Sequence, residues 1–181
     1  EGLVAYAKQF SQNIGHTFTD NTIFLTAISG SAATEIGGCT TASVTHYMRN
    51  NDNATPDDLN SFRDTRLIFI DEISLAGYKS ILRKVSANLK NFTECRDKIY
   101  GKHPICFLGD FCQLEPVGGD PIYNTRNGID WEQALNCMVE LKGTHRFNSC
   151  PHMRRIMPNL RNGVLSEEDR KILNSRVING R

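Results

Sequence analysis

The chain has 181 residues, of which 39% are hydrophobic and 23% are charged. This composition is typical of one globular domain, or one domain with a tail, and it excludes wholesale disorder. No apolar run approaches the roughly 18 residues that a membrane span needs, and no N-terminal segment is typical of a signal peptide. The 21 basic and 20 acidic residues leave a net charge of +1, so a nucleic-acid site must be argued from local features.

Apolar periodicity and turn residues predict alternating helices and strands. The predicted helices cover residues 3–14, 31–36, 56–63 and 75–92, with a terminal helix starting at a capping box at Ser166. The predicted strands are the apolar runs at 23–27, 67–70, 105–108 and 138–141. Continuous apolar strands between helices predict an α/β fold, a parallel sheet flanked by helices on both faces.

In such sheets the functional residues lie just past the carboxyl ends of the strands. We therefore expect the chemistry at residues 26–30, 71–72, 109–113 and 144–146, because each set follows one of the four apolar runs. Six cysteines are scattered without a C-x-x-C pair, which argues against a zinc site and a secreted disulfide framework. The reducing interior of a cell is the environment that this cysteine usage favours.

Two adjacent acids, Asp71 and Glu72, follow the second apolar run. Acids at the end of a buried strand are costly unless a cation meets them. In phosphoryl-transfer enzymes the first acid holds Mg²⁺ and the second orients or deprotonates the attacking water. The alternative is a strand-end turn whose acids cap the helix that begins near Ser74.

Gly109, Asp110 and Gln113 follow the third apolar run. The Gln113 amide both donates and accepts, so it suits a sensor that bonds a γ-phosphate and the lytic water. The alternative is a simple Gly-Asp turn.

Two further segments have the same double interpretation. Arg146 suits stabilisation of a transferring phosphoryl group, or it is a solvated surface arginine. The small and hydroxyl residues at 25–33 leave backbone N–H groups for phosphate, or they allow tight packing of strand on helix.

Taken in order, the four motifs resemble the first RecA-like domain of Pif-one-type DNA helicases, in the RecD-like branch of superfamily one. The resemblance extends from about Ile23 to Arg176. It consists of motif Ia and its continuation in LTAISGSAATEIGGCTTAS (25–43), Walker B in LIFIDEIS (67–74), motif III in CFLGDFCQLEPVGG (106–119) and motif IV in ELKGTHRF (140–147). The tail at 153–176 is similar to the segment that leads into the second RecA-like domain.

The resemblance implies a role for each matching residue. Asp71 would bind Mg²⁺, directly or through water, and Glu72 would activate the attacking water. Gln113 would read the γ-phosphate and Arg146 would act as an arginine finger. The remaining implied positions are Gly109 and Asp110 in the nucleotide-facing loop, and Thr26, Ser29, Gly30, Ser31 and Ser43 on the backbone of single-stranded DNA.

The chain departs from the family pattern in four ways. Ser31 stands where a basic residue is usual, and Ala42 replaces a common histidine. The Walker A loop, which cradles the triphosphate, and the second RecA-like domain are both absent from the 181 residues. We therefore expect a piece of a longer protein, starting at Glu1 rather than Met, that alone neither hydrolyses ATP nor unwinds DNA at a useful rate.

For the longer protein, the resemblance implies a 5′-to-3′ DNA helicase that uses ATP and Mg²⁺. Its partners would be single-stranded DNA and duplex junctions, with no membrane. It would act in DNA repair, recombination and telomere maintenance, in the nucleus or mitochondrion if the source is eukaryotic. We assign residues 1–150 to a partial first RecA-like domain and residues 151–181 to a helical connector.

Other functions remain open at this point. Similar motifs occur in the helicase halves of rolling-circle transposases, relaxases and viral replication proteins. A degenerate relative that binds DNA or a protein partner without catalysis is a second class. A metal-dependent nuclease using Asp71, Glu72 and Asp110 is a third.

Overall fold

A four-stranded parallel sheet forms the centre of the computed structural model, which describes residues 2–49, 53–124, 133–143 and 146–178. The strand order is β2-β1-β3-β4, and all three pairings are parallel. The strands are Ile23–Ala27 (β1), Cys39–Thr40 (β2), Leu67–Asp71 (β3) and Ile105–Phe107 (β4). The predicted α/β fold with a parallel sheet flanked by helices is therefore confirmed.

In chain order, the α-helices are Gly2–Asn13 (α1), Gly30–Glu35 (α2), Thr41–Thr45 (α3), Pro56–Arg63 (α4), Arg83–Phe92 (α5), Pro151–Arg161 (α6) and Glu167–Asn174 (α7). Ser166 forms the predicted capping box with Asp169 at the start of α7, and Thr55 forms a second one with Asp58 at the start of α4. No helix in the described part of the chain is long and apolar enough to cross a membrane.

The hydrophobic core joins β3 to the segment that follows it. Ile68 and Ile70 of β3 are fully buried and belong to the same apolar cluster as Leu82, Val85 and Leu89. The spacing of three and four residues along this segment predicts that one face packs inward. The structure confirms this buried face, which also includes Tyr78 and Phe92.

The segment at 75–92 is not one continuous helix as predicted. It begins with a 3₁₀ turn at Ile73–Leu75, continues as a π-helical turn at Tyr78–Leu82 and becomes α5 only at Arg83. The Gly77 carbonyl accepts hydrogen bonds from the N–H groups of Ile81 (2.9 Å) and Leu82 (3.3 Å). Gly77 is also paired with Pro121, so a contact distant in sequence shapes this helix start.

The predicted strand at 138–141 is wrong, because the structure has no strand there. Met138, Val139 and Leu141 are 90%, 77% and 89% exposed. A short apolar run becomes a strand only where another strand satisfies its backbone groups and a packed layer covers its side chains. Of the four strands, it is the two-residue β2 at Cys39 that the sequence did not predict.

The chain divides into two compact units, Glu1–Asn136 and Cys137–Arg181. The first unit contains the sheet and α1 to α5, and the second contains α6 and α7. This division falls ahead of the predicted boundary at residue 150. The assignment of 1–150 and 151–181 to parts of a helicase stays a prediction.

The second unit has its own buried polar centre at Asp169. This fully buried carboxylate accepts hydrogen bonds from Arg155 Nε (2.9 Å), Asn159 Nδ2 (3.0 Å) and the Ser166 backbone N–H (3.3 Å). The Asn159 bond, with the Ser166 and Arg155 bonds, outweighs the effect of burial and lowers the pKa of Asp169 from 3.8 to about 2. The carboxylate thus ties α6 to the start of α7.

We expect acid to unfold the second unit as Asp169 becomes protonated. Because its folded pKa is lowered, Asp169 contributes stability above a pH near 3.8, which is lost as the pH falls towards about 2. Asp169→Asn should lower the stability of α6 and α7 at neutral pH and flatten this pH dependence. Backbone amide NMR signals of the two helices, followed from about pH 7 to pH 2, would measure both effects. Equal stability of the variant at neutral pH would contradict the prediction.

Candidate functional site

Three strands of the parallel sheet end at the same edge. Ala27, the last residue of β1, is in register with Asp71, the last residue of β3, and Ile70 is in register with Phe107, the last residue of β4. A short segment follows each of these strands. We name them the β1 edge segment (28–31), the β3 edge segment (71–74, which starts with the last residue of β3) and the β4 edge segment (108–114). The structure thus places three of the four predicted site sets along one edge.

Two hydrogen bonds connect the β1 and β3 edge segments. The Ile28 N–H donates to the Asp71 carbonyl over 3.1 Å. The Ser29 hydroxyl donates to Oε2 of Glu72 over 2.5 Å, which joins side chains 43 positions apart. A residue predicted to contact DNA is therefore bonded directly to the residue predicted to activate water.

The β4 edge segment is fastened to the β3 edge segment in the same way. The Leu108 N–H donates to the Ile70 carbonyl, and the Ile73 N–H donates to the Leu108 carbonyl, each over 2.9 Å. Gly109 follows at a close approach, since a Cβ there would lie 2.9 Å from both the backbone nitrogen and Cγ2 of Ile73. A glycine at this position lets the two segments pass each other.

Glu72 has a backbone conformation that is rare for a residue with a side chain. Its φ and ψ angles are 56° and 40°, in the left-handed region. Such a conformation costs free energy and persists when surrounding contacts impose it. Here Glu72 donates its N–H to Oδ1 of Asp71 over 2.8 Å, and its neighbour Ile73 is bonded to Leu108.

Asp71 has the features of a magnesium ligand. It is half-buried at the strand end, and Oδ1 accepts the Glu72 N–H. Its Oδ2 makes no hydrogen bond to the residues that the structure describes. Magnesium in nucleotide sites takes one or two carboxylates and completes its shell with phosphates and water, so a single carboxylate fits. Within the described ranges, no three His, Cys, Asp or Glu side chains form a group that could hold a metal ion.

A tight turn presents Gln113 to solvent. The Asp110 carboxylate accepts the Cys112 N–H over 2.9 Å, and the Asp110 carbonyl accepts the Gln113 N–H over 3.0 Å. Gln113 is exposed, two residues beyond Phe111. Asp110 thus shapes the turn.

The residues after this turn hold the loop in place. The Phe111 and Tyr123 rings meet edge to face with centroids 5.6 Å apart. The Tyr123 hydroxyl donates to Glu115, and this bond raises the pKa of Tyr123. The Tyr78 N–H donates to the Asp120 carbonyl over 3.0 Å, which ties the loop to the core. Residues 125–132, which follow this loop, lie outside the described residues.

Thr26 does not offer its side chain to DNA, so this prediction is wrong. The side chain is fully buried, and its hydroxyl donates to the Phe69 carbonyl over 2.6 Å. It also lies 3.0 Å from the Thr41 hydroxyl, which is buried as well. The apolar strand β1 places Thr26 inside, where it links β1 to β3 and α3.

Three other predicted DNA-contacting residues, Gly30, Ser31 and Ser43, are exposed. The Ser31 and Ser29 hydroxyl oxygens lie 3.3 Å apart. Ser43 lies on α3, where its hydroxyl donates to the Thr40 carbonyl over 2.8 Å. These positions are accessible, and their contacts with DNA stay predictions.

Arg146 is exposed in a turn of the second unit. It does not follow a strand, since none forms at 138–141. Its predicted companions Thr144 and His145 lie outside the described residues. The role of Arg146 therefore rests on the resemblance of its motif.

The sequence missed the partners that position the site. Ile28, Leu108 and Ile73 act through their backbone groups, and Thr41 acts by anchoring Thr26. Backbone groups carry no residue-specific signal, so no pattern could have indicated them. Gly109 was the one visible signal, because a glycine at a strand end is typical of a close backbone approach.

We expect Gly109→Ala to destabilise the first unit by about 1–3 kcal/mol, the usual cost of forcing an extra methyl group into a packed site. The added Cβ would press on the Ile73 backbone, which cannot yield like a flexible side chain. Chemical denaturation would measure the free energy of unfolding. Gly30→Ala is the matched control, because a Cβ there meets nothing within 4 Å. Equal stability of both variants would contradict the close contact.

Comparison with solved structures identifies the same fold in Pif1 helicases. A structure described as DNA unwinding at forked dsDNA by two coordinating Pif1 helicases matches 89% of this chain with a TM-score of 0.70 and 21% identity. Pif1 helicase from Candida albicans matches 99% with a TM-score of 0.74 and 22% identity. Pif1 helicase from Bacteroides, in complex with ADP-AlF3 and ssDNA, matches 96% with a TM-score of 0.68 and 21% identity.

The matched part is 42% to 44% of each of these three chains, so this chain spans less than half of their length. No family model and no curated protein sequence matches it. The similarity in structure nevertheless covers nearly all of the chain. The protein therefore has the RecA-like fold that is found in Pif1 helicases.

Proposed function

We propose that this chain is part of an ATP-dependent DNA helicase that couples ATP hydrolysis to movement along single-stranded DNA and to duplex unwinding. The observation that carries the proposal is the hydrogen-bonded edge at which Ser29, Glu72 and the Gly109 turn meet. The shared fold supports it, since a matched structure is described as a complex with ADP-AlF3 and ssDNA.

The proposed chemistry assigns one task to each side chain. Asp71 would hold Mg²⁺, which would neutralise charge on the phosphates. Glu72 would accept a proton from the water that attacks the γ-phosphorus, while the bond from that phosphorus to the bridging oxygen breaks and ADP leaves. Gln113 would sense the γ-phosphate, and Arg146 would stabilise the charge that develops on it.

The proposed DNA contacts use the exposed Gly30, Ser31 and Ser43, together with the half-buried Ser29. Hydroxyl and backbone N–H groups bind phosphates without reading sequence, as a motor that moves along any strand requires. Base stacking elsewhere in the full protein would add about 1–3 kcal/mol per base. The phosphate-cradling loop and the second RecA-like domain would come from the rest of the parent protein.

The resemblance extends the proposal to the biology of the parent. Movement would run 5′ to 3′, with forked or junction DNA as the substrate. The protein would serve DNA repair, recombination and telomere maintenance, in the nucleus or mitochondrion if the source is eukaryotic.

We expect Glu72→Gln in the full-length parent to abolish turnover and keep nucleotide binding. An amide cannot take a proton from water, and removal of a general base costs about 10²–10⁴-fold in kcat. Phosphate release would measure turnover, and a fluorescent ATP analogue would measure affinity. Glu35→Gln, an exposed acid on α2, is the matched control. An unchanged kcat for Glu72→Gln would remove the proposed mechanism.

We expect Arg146→Ala to reduce kcat far more than nucleotide affinity. An arginine that meets charge only in the transition state contributes about 10³–10⁵ in kcat. The same two assays apply, with Arg170→Ala on α7 as the control for loss of an exposed arginine. Weakened nucleotide affinity at constant kcat would show that Arg146 is not an arginine finger.

A further inference from the structure

The hydrogen bond from Ser29 to Glu72 has a consequence for control of the reaction. The Ser29 hydroxyl lies 2.5 Å from Oε2 of Glu72. A hydroxyl has one proton to donate, and an ionised carboxylate only accepts. Ser29 must therefore be the donor, and its proton is committed to Glu72.

The Ser29 oxygen accepts in two directions while its proton is committed. It accepts the Ala32 N–H over 3.3 Å as the cap of α2. It also lies 3.3 Å from the Ser31 hydroxyl oxygen. Because the proton of Ser29 points to Glu72, Ser31 has to be the donor in that pair.

The three side chains thus form a series of hydrogen bonds in which Ser31 donates to Ser29 and Ser29 donates to Glu72. Ser31 is exposed, Ser29 is half-buried and Glu72 is half-buried at the end of β3. Hydroxyl groups linked in series polarise one another, so a change at one end alters the strength of the bond at the other. This series of hydrogen bonds connects the surface of the β1 edge segment to Glu72, the proposed general base.

A phosphate oxygen that reaches this segment would compete as a hydrogen-bond acceptor for the same hydroxyl groups. If Ser31 donates to the phosphate, its hydrogen bond to Ser29 weakens. If Ser29 donates to the phosphate, its hydrogen bond to Oε2 of Glu72 is lost. While Ser29 donates to Oε2 of Glu72, one lone pair of Oε2 is occupied and the orientation of the carboxylate is fixed. A released oxygen is free to take a proton from water.

We propose that Ser29 is a positioning residue: its hydroxyl stays hydrogen-bonded to the Glu72 carboxylate until a nucleic-acid phosphate accepts that hydrogen bond instead. This inference rests on the proposed function and adds the means by which DNA would control hydrolysis. The ligand chemistry is a phosphodiester of a single strand.

The test compares ATP turnover of the full-length parent with and without oligo-dT. Ser29→Ala should raise the DNA-independent rate by about tenfold, the factor that one hydrogen bond to a charged group is worth. The stimulation by DNA should fall by a similar factor. Ser29→Thr keeps the hydroxyl and should restore the DNA response. Thr34→Ala is the control on the same helix, because its exposed hydroxyl donates to the Gly30 carbonyl over 3.0 Å and not to Glu72.

A second measurement reports on the bond without turnover. In protein labelled with ¹³C at glutamate side-chain carboxyl carbons, the Glu72 resonance is assigned by its loss in Glu72→Gln. Oligo-dT should shift this resonance in the unaltered protein. Ser29→Ala without DNA should already show the shifted position.

The outcomes separate the two proposals. An equal loss of basal and stimulated turnover in Ser29→Ala would mean that Ser29 only orients Glu72, and would overturn the switch. A Glu72 resonance that ignores bound oligo-dT would overturn it as well. Absence of Glu72-dependent ATP turnover would instead overturn the proposed function, while the response of the resonance to DNA would still decide the contact between Ser29 and phosphate.

Discussion

The parallel alignment of β1, β3 and β4 is the constraint on which the site depends. Parallel strands bring their carboxyl ends to one edge, where backbone groups have no further strand partner. Ile28 and Ile73 donate their N–H groups to the carbonyls of Asp71 and Leu108, so these groups are satisfied across the edge. The same bonds fix the position of the acidic pair Asp71-Glu72.

Strand β3 contributes apolar residues to the core and polar residues to the site. Ile68 and Ile70 are fully buried and anchor the strand, whereas the residues that follow are half-buried and polar. A rigid strand therefore delivers Glu72 in a left-handed conformation that it would rarely adopt alone. The next residue, Ile73, passes close to Gly109, where a Cβ would lie 2.9 Å from its backbone nitrogen.

Several elements could be predicted because their signals are local. The runs at 23–27 and 67–70 became strands, since apolar β-favouring residues fit a sheet covered on both faces. Thr55 and Ser166 started helices, because a cap needs only residues within one turn. The run at 138–141 carried the same apolar signal and failed, because the signal does not report whether a partner strand is adjacent.

The sequence by itself determined the α/β class, the start of α7 at Ser166 and the three motifs that end at one sheet edge. Only the tertiary structure decided that Thr26 is buried against Thr41, that the helix after β3 begins with a π-helical turn, and that Ser29 donates to Glu72. The physical reason is distance along the chain. Periodicity and capping describe neighbours within a few residues, whereas these contacts depend on how separate segments are packed together.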